Sequence, residues 1–254
     1  MWGANKHFLD PEIEQWHLAC WDWMLRHLGG LEGLRQRPLV LPTAKFFPKI
    51  EAQGHARAEA VLTRVKTIMG MQDWPCLLTP QRNTSARLGE FHSLQSHKGV
   101  GGSFGFINHE AAISYDPQII AEPLAIISTF AHELSHYRMH NILEKPPGAE
   151  VEPMLNELAT EMVTAFHGFA LIAANAAFNF AQHGDFGRQG WQSRRLGYFS
   201  DDSWVFALAV FLQLRDETVD AAKPHLKPHL AQKLVKAQKR LSAEPALLEP
   251  LRAA

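Results

Sequence analysis

Three residues in the stretch Ala131-His-Glu-Leu-Ser-His-Tyr137 have the types and the spacing for metal chemistry: His132, Glu133 and His136. On an α-helix, residues four apart lie one turn above each other, so the two imidazoles can present nitrogens to one ion while Glu133 stands beside it. Zinc accepts neutral imidazole nitrogen, and a site that does chemistry wants three protein ligands and one position left to water. Among sequences of this His and Glu content, chance produces the pattern in roughly 5%, so its surroundings have to carry weight. Ile126, Ile127, Phe130 and Leu134 give the same segment an apolar face by which a helix would be buried. The plain alternative is a histidine-rich polar face that holds no ion.

The best candidate for a third ligand is Glu157, 21 residues after His136 and near the start of the next helical segment. Pro146-Pro147-Gly148 lets the chain turn back, and two antiparallel helices joined this way can set Glu157 opposite the histidine pair. Glu161 lies one turn further along the same face. A carboxylate so placed can accept the second N–H of a ligand histidine and hold its tautomer. His109, His167 and His183 are further candidates. His140 lies two turns from His132 and about 80° off its face, which suits a solvated or locally satisfied ring better than a ligand.

These residues resemble the zinc metallopeptidases of the thermolysin-like, or gluzincin, kind. In such enzymes an H-E-x-x-H helix is followed some twenty residues later by a helix carrying N-E-x-x-x-D, and this chain has Asn156-Glu157-Leu-Ala-Thr-Glu161. The resemblance covers about residues 103–164 and includes a hairpin before the active helix, where the family keeps an edge strand that aligns a peptide substrate. It implies His132, His136 and Glu157 as zinc ligands, Glu133 as general base and Glu161 as the carboxylate behind a ligand histidine. Glu161 departs from the family's Asp by one methylene. The metzincin pattern does not fit, since Met139 and Ile142 stand where it needs Gly and His. Beyond Thr164 the chain looks like uncharacterised bacterial proteins that share the zinc motif.

The chemistry implied is hydrolysis of a peptide bond by water that the ion acidifies and Glu133 deprotonates. A developing oxyanion normally has a donor besides the ion. Tyr198, in the turn Leu196-Gly-Tyr-Phe-Ser200, is the candidate, with His167 competing and a packing role as the alternative. Arg194 and Arg195 could hold a substrate carboxylate, or be solvated surface.

The positioning elements follow from periodicity and breakers. Pro11 to Leu28 reads as an amphipathic helix ended by Gly29-Gly30, and its tryptophans as packing residues. Leu39 to Leu41 and Trp74 to Leu78 read as short strands, with a helix over 56–71 between them. Gln81 to Gly102 is polar and glycine-rich, hence loop or an irregular edge, and its His92 and His97 are weak candidates for any role. Ser103 to Ile107 and Ala111 to Tyr115 form a hairpin across Asn108-His-Glu110. Pro123 opens the active helix, over 122–143, and Pro153 opens the ligand helix, over 153–181. Ser200 with Asp201 and Asp202 reads as the capped start of a helix to about Arg215, and a last helix covers about 225–241. The expected fold is α+β and zincin-like: one domain over 1–254, with a small mixed sheet and edge hairpin in an α/β lobe (1–120) and a mainly helical lobe (121–254).

Composition narrows the function class. The 254 residues hold 25 Lys plus Arg against 26 Asp plus Glu, so no net charge draws the chain to nucleic acid or an anionic membrane. Cys20 and Cys76 are far apart and outside any C-x-x-C, which argues against a disulfide framework or thiolate zinc site. Met162 to Ala181 lacks charge, but Thr164, His167, Asn175 and Asn179 make it a poor membrane span and a good core helix. With no secretory signal at the N-terminus, the expected compartment is the cytoplasm. The expected partner is a peptide or protein substrate. The competing reading is a zinc-stabilised regulatory or protein-binding module whose helical C-terminal third holds a partner.

Overall fold

The structure is a computed structural model that describes residues 7–81, 101–183 and 199–253, with side chains in 178–183 left aside. In chain order its main elements are α1 (Pro11–His27), α2 (Gly30–Gln36), α3 (Gly54–Ile68), β1 (Leu77–Pro80), β2 (Gly102–Ile107), β3 (Glu110–Tyr115), α4 (Pro123–His140), α5 (Met154–Phe166), α6 (Ala170–His183), α7 (Asp201–Leu214), α8 (Pro228–Ala243) and α9 (Glu249–Arg252). The architecture is mixed α+β and mostly helical, with one small mixed sheet among the described residues. The chain divides into two compact units, residues 42–141 and residues 1–41 with 142–254.

The unit over 42–141 holds the sheet, in the order β1-β3-β2. β1 runs parallel to β3, with Leu77 opposite Ala112 and Pro80 opposite Tyr115. β2 and β3 are antiparallel, pairing Gly102 with Tyr115 and Ile107 with Glu110. Asn108 and His109 join them at φ of 50° and 68°, the two left-handed residues of the turn whose twist suits a two-residue hairpin. α4 begins at Pro123, lays Ile126, Ile127, Phe130 and Leu134 into the core, and packs on α3, β2 and β3.

The other unit is helical. Asp10 accepts a hydrogen bond from the Glu12 amide at 3.1 Å and caps α1, which has Pro11 at its first position, acids in the first turn and Arg26 and His27 in the last. Ser200 caps α7 in the same way, accepting from the Ser203 amide at 3.1 Å. Every residue of α7 from Ser203 to Leu212 is buried, as a helix apolar on all sides must be, and it packs on α5, α6 and α8.

Several boundaries differ from those expected. The ligand helix expected over 153–181 is two helices, α5 and α6. Gly168 breaks it at φ 89°, closing a Schellman motif in which the Phe169 amide donates to Thr164 O at 3.2 Å and the Gly168 amide to Ala165 O at 2.9 Å. The Ala-rich apolar residues on both sides hide this stop from a periodicity argument. Leu39 to Leu41 is not a strand, because its neighbour is the Gly168 loop: the Val40 amide donates to Gly168 O at 3.0 Å and no ladder follows. The strand expected over 74–78 begins at Leu77, α4 stops at His140 rather than 143, and α8 starts at Pro228. The short helix α2 has no counterpart in the expectation. No described helix is long and apolar enough to cross a membrane. Neither cysteine forms a disulfide.

Candidate metal centre

The helix carrying the motif forms as its spacing requires. His132 and His136 are half-buried on α4, and their Nε2 atoms stand 3.1 Å apart, with the rings nearly perpendicular at 81°. Glu133, one residue on, is only 2% exposed. Phe130, one turn earlier, packs edge-on against Tyr115 at 5.9 Å, so the helix is held to β3 beside the motif. Ser135 is buried and returns its hydroxyl to Ala131 O at 2.7 Å, which satisfies it within the helix.

Tyr137 and Arg138 continue the helix into an aromatic cluster. Tyr137 stacks on Phe104 at 5.2 Å and meets Trp74 edge-on at 4.8 Å, while the Arg138 guanidinium lies over Trp74 at 4.5 Å and donates to Met69 O at 3.1 Å. Burial pulls the Arg138 pKa below its ordinary value and pushes the Tyr137 phenol up. His140 is exposed and lies against Phe106 at 4.7 Å, a local ring contact of the kind expected for it.

Glu157 sits in the first turn of α5 and Glu161 one turn later, both half-buried. The start of α5 is set from α1. Trp16 and Trp23 donate their indole N–H groups to Pro147 O at 3.0 Å and Glu144 O at 3.2 Å, and Arg26 forks onto the Glu144 carboxylate at 3.0 and 3.1 Å. These bonds fasten the proline-rich connection before α5. Trp21, fully buried, packs on Phe166 at the far end of that helix at 5.7 Å. Tryptophans expected only to pack therefore also hold the segment that delivers Glu157.

Among the described residues, one group of three ligand-type side chains could hold a metal ion: His132, His136 and Glu157. All three are half-buried. The donor chemistry fits a borderline divalent ion. Two imidazole nitrogens bound tetrahedrally at about 2.0–2.1 Å would be about 3.3 Å apart, close to the 3.1 Å between His132 and His136.

The remaining candidates fall elsewhere. His167, buried at the end of α5, has Nδ1 2.7 Å from Arg37 Nη1, so Nδ1 accepts and the ring belongs to a structural contact in which Arg37 also covers Phe166 at 4.9 Å. His109 occupies the exposed hairpin turn. Tyr198, Arg194, Arg195, His92 and His97, and the side chain of His183, lie outside the described residues. The approach of Gly102 to Glu133 is not expected from a glycine cluster that reads as loop or an irregular edge; three glycines in four residues at a strand start are its only signal. No family model matches the chain, and no curated protein or solved structure shows significant similarity to it.

Proposed function

We propose that this chain is a zinc-dependent peptidase whose ligands are His132, His136 and Glu157. The observation that carries the reading is the histidine pair, with Nε2 atoms 3.1 Å apart, and the buried carboxylate Glu133 on the same turn of α4, with Glu157 as the third ligand-type side chain. A zinc ion held there would acidify a water and polarise a peptide carbonyl. Glu133 takes the proton of the attacking water and delivers it to the departing amine. Glu161 supports a ligand histidine through its second N–H, as the resemblance to gluzincins implies, and Tyr198 remains the proposed donor to the oxyanion. Two free cysteines, Cys20 buried and Cys76 half-buried, fit a reducing compartment, and we place the activity in the cytoplasm.

The test is metal analysis together with a peptide-library digest of the wild type and Glu133→Gln. The expected result is about one zinc per chain in both and cleavage by the wild type alone, with loss of roughly 10²-fold or more in the variant. Cleavage that survives the substitution removes Glu133 from the chemistry. Zinc bound without any cleavage, and stability lost on chelation, would assign the ion to the competing zinc-stabilised binding module.

A further inference from the structure

β2 runs alongside α4 so that its alternate residues face the helix in order. Gly102 faces Thr129 and Glu133, Phe104 stacks on Tyr137, and Phe106 meets His140. The first of these contacts is the tightest. A Cβ at position 102 would lie 2.6 Å from Thr129 Cγ2, 3.0 Å from Ser114 O and 3.2 Å from Glu133 Cγ. Gly102 does not have a left-handed φ, so what glycine supplies here is space and not backbone freedom.

The strand has little freedom to lift away. Ser103 Oγ and Ser114 Oγ are 2.7 Å apart across the ladder, Gln81 Nε2 donates to Ser114 Oγ at 3.3 Å, and Gly102 pairs with Tyr115. Tyr115 is itself 1% exposed, packed on Phe130 and bonded through its hydroxyl to His55 Nδ1 at 3.0 Å. A side chain at position 102 would therefore be accommodated by Thr129 and Glu133. At a distance of 3.2 Å, Glu133 would have to give by a few tenths of an ångström.

We infer that Gly102 is a positioning residue for Glu133: the missing side chain lets the edge strand close on α4 and sets where the carboxylate stands beside the histidine pair. This rests on the peptidase reading, in which Glu133 must meet a proton in flight. Catalytic groups tolerate little displacement, since a misplacement of about 1 Å can cost roughly 10²-fold.

The test compares four full-length zinc-loaded proteins: wild type, Gly102→Ala, Gly102→Ala with Thr129→Ser, and Gly101→Ala. Thr129→Ser removes the methyl that lies 2.6 Å from the new Cβ and relieves the helix packing, while the approaches to Glu133 and to Ser114 O remain. A Cβ at Gly101 meets Thr129 Oγ1 at 3.1 Å and the flexible end of Ile119 at 3.2 Å, without reaching Glu133, and serves as the control. The expected result for the double variant is a melting temperature above that of Gly102→Ala, wild-type zinc content, KM within about twofold and kcat lower by about tenfold, with Gly101→Ala near wild type. Recovery of kcat together with stability in the double variant would overturn the inference, leaving Gly102 a packing residue. If the wild type shows no cleavage that depends on Glu133, the peptidase reading fails. The crystal structure of the double variant then decides: a Glu133 carboxylate moved by a few tenths of an ångström supports the steric inference, and an unmoved one refutes it.

Discussion

The Nε2 atoms of the half-buried His132 and His136 face each other at 3.1 Å on one side of a helix whose other side carries Phe130 and Leu134 into the core. Two neutral acceptors cannot both face each other without a proton or a cation between them. Zinc in excess should therefore raise the melting temperature of the wild type, with stabilisation of about 2.7 kcal/mol when free zinc is about 100 times its Kd. His136→Ala should lose the shift, and Glu157→Gln should reduce it. Differential scanning fluorimetry across a zinc titration, with chelator as baseline, checks this; a full shift in His136→Ala would remove the histidine pair from the site.

His17 should make the helical unit acid-sensitive. Its ring is buried among Trp16, Phe199 and Phe206 at 5.2 to 5.6 Å, its Nδ1 has no hydrogen-bond partner among the described residues, and burial pulls its pKa down from 6.5 to about 3. The folded state keeps the ring neutral while the unfolded chain takes a proton below pH 6.5, so stability present at neutral pH is lost as pH falls from about 6.5 towards about 3. Between pH 7 and 5 the loss amounts to about 2 kcal/mol. His17→Leu should flatten the dependence by that amount, read as urea midpoints at the two pH values. An unchanged slope would show that His17 is protonated in the fold.

Glu14 and Arg240 should be worth more as a pair than either is alone. Their side chains are 4% and 11% exposed, Glu14 Oε1 accepts from Arg240 Nη2 at 3.1 Å, and His7 lies 3.3 Å from the same oxygen. Removing Glu14 leaves a guanidinium with one partner fewer in a place that water barely reaches, so Glu14→Leu should cost about 3 kcal/mol. Glu14→Leu with Arg240→Leu should recover most of it. A double-mutant cycle by chemical denaturation measures the coupling, and strict additivity would count against it.

Gly168→Ala should be among the most damaging conservative changes in the chain. The new Cβ would lie 2.0 Å from Pro38 O, and the φ of 89° is one that alanine rarely adopts. The expected loss is about 3 kcal/mol, whereas Gly70→Ala, at φ 66° with nothing within 4 Å of the Cβ, should lose only about 1 kcal/mol. Thermal melts of the two variants separate the steric clash from the backbone cost.

The elements legible in the sequence are those whose causes lie within a few residues. The i, i+4 histidines on an amphipathic run, Pro123 at a helix start, the Asn108-His109 turn between alternating strands, and Ser200 ahead of two aspartates each carry their instruction locally. The α+β character and the histidine pair that could hold a metal ion follow from such signals. Tertiary structure decided what depends on distant neighbours. Gly168 ends α5 in a loop packed on Pro38 and Val40, and residues 39–41 fail to become a strand because their hydrogen bond goes to that loop. Trp16 and Trp23 find carbonyls 131 and 121 residues away in the connection before α5. Gly102, in a stretch that reads as loop or an irregular edge, gains its place only because β2 closes on Thr129 and Glu133. Periodicity tells which face of a segment is apolar; which atoms meet that face is settled only when the rest of the chain has packed against it.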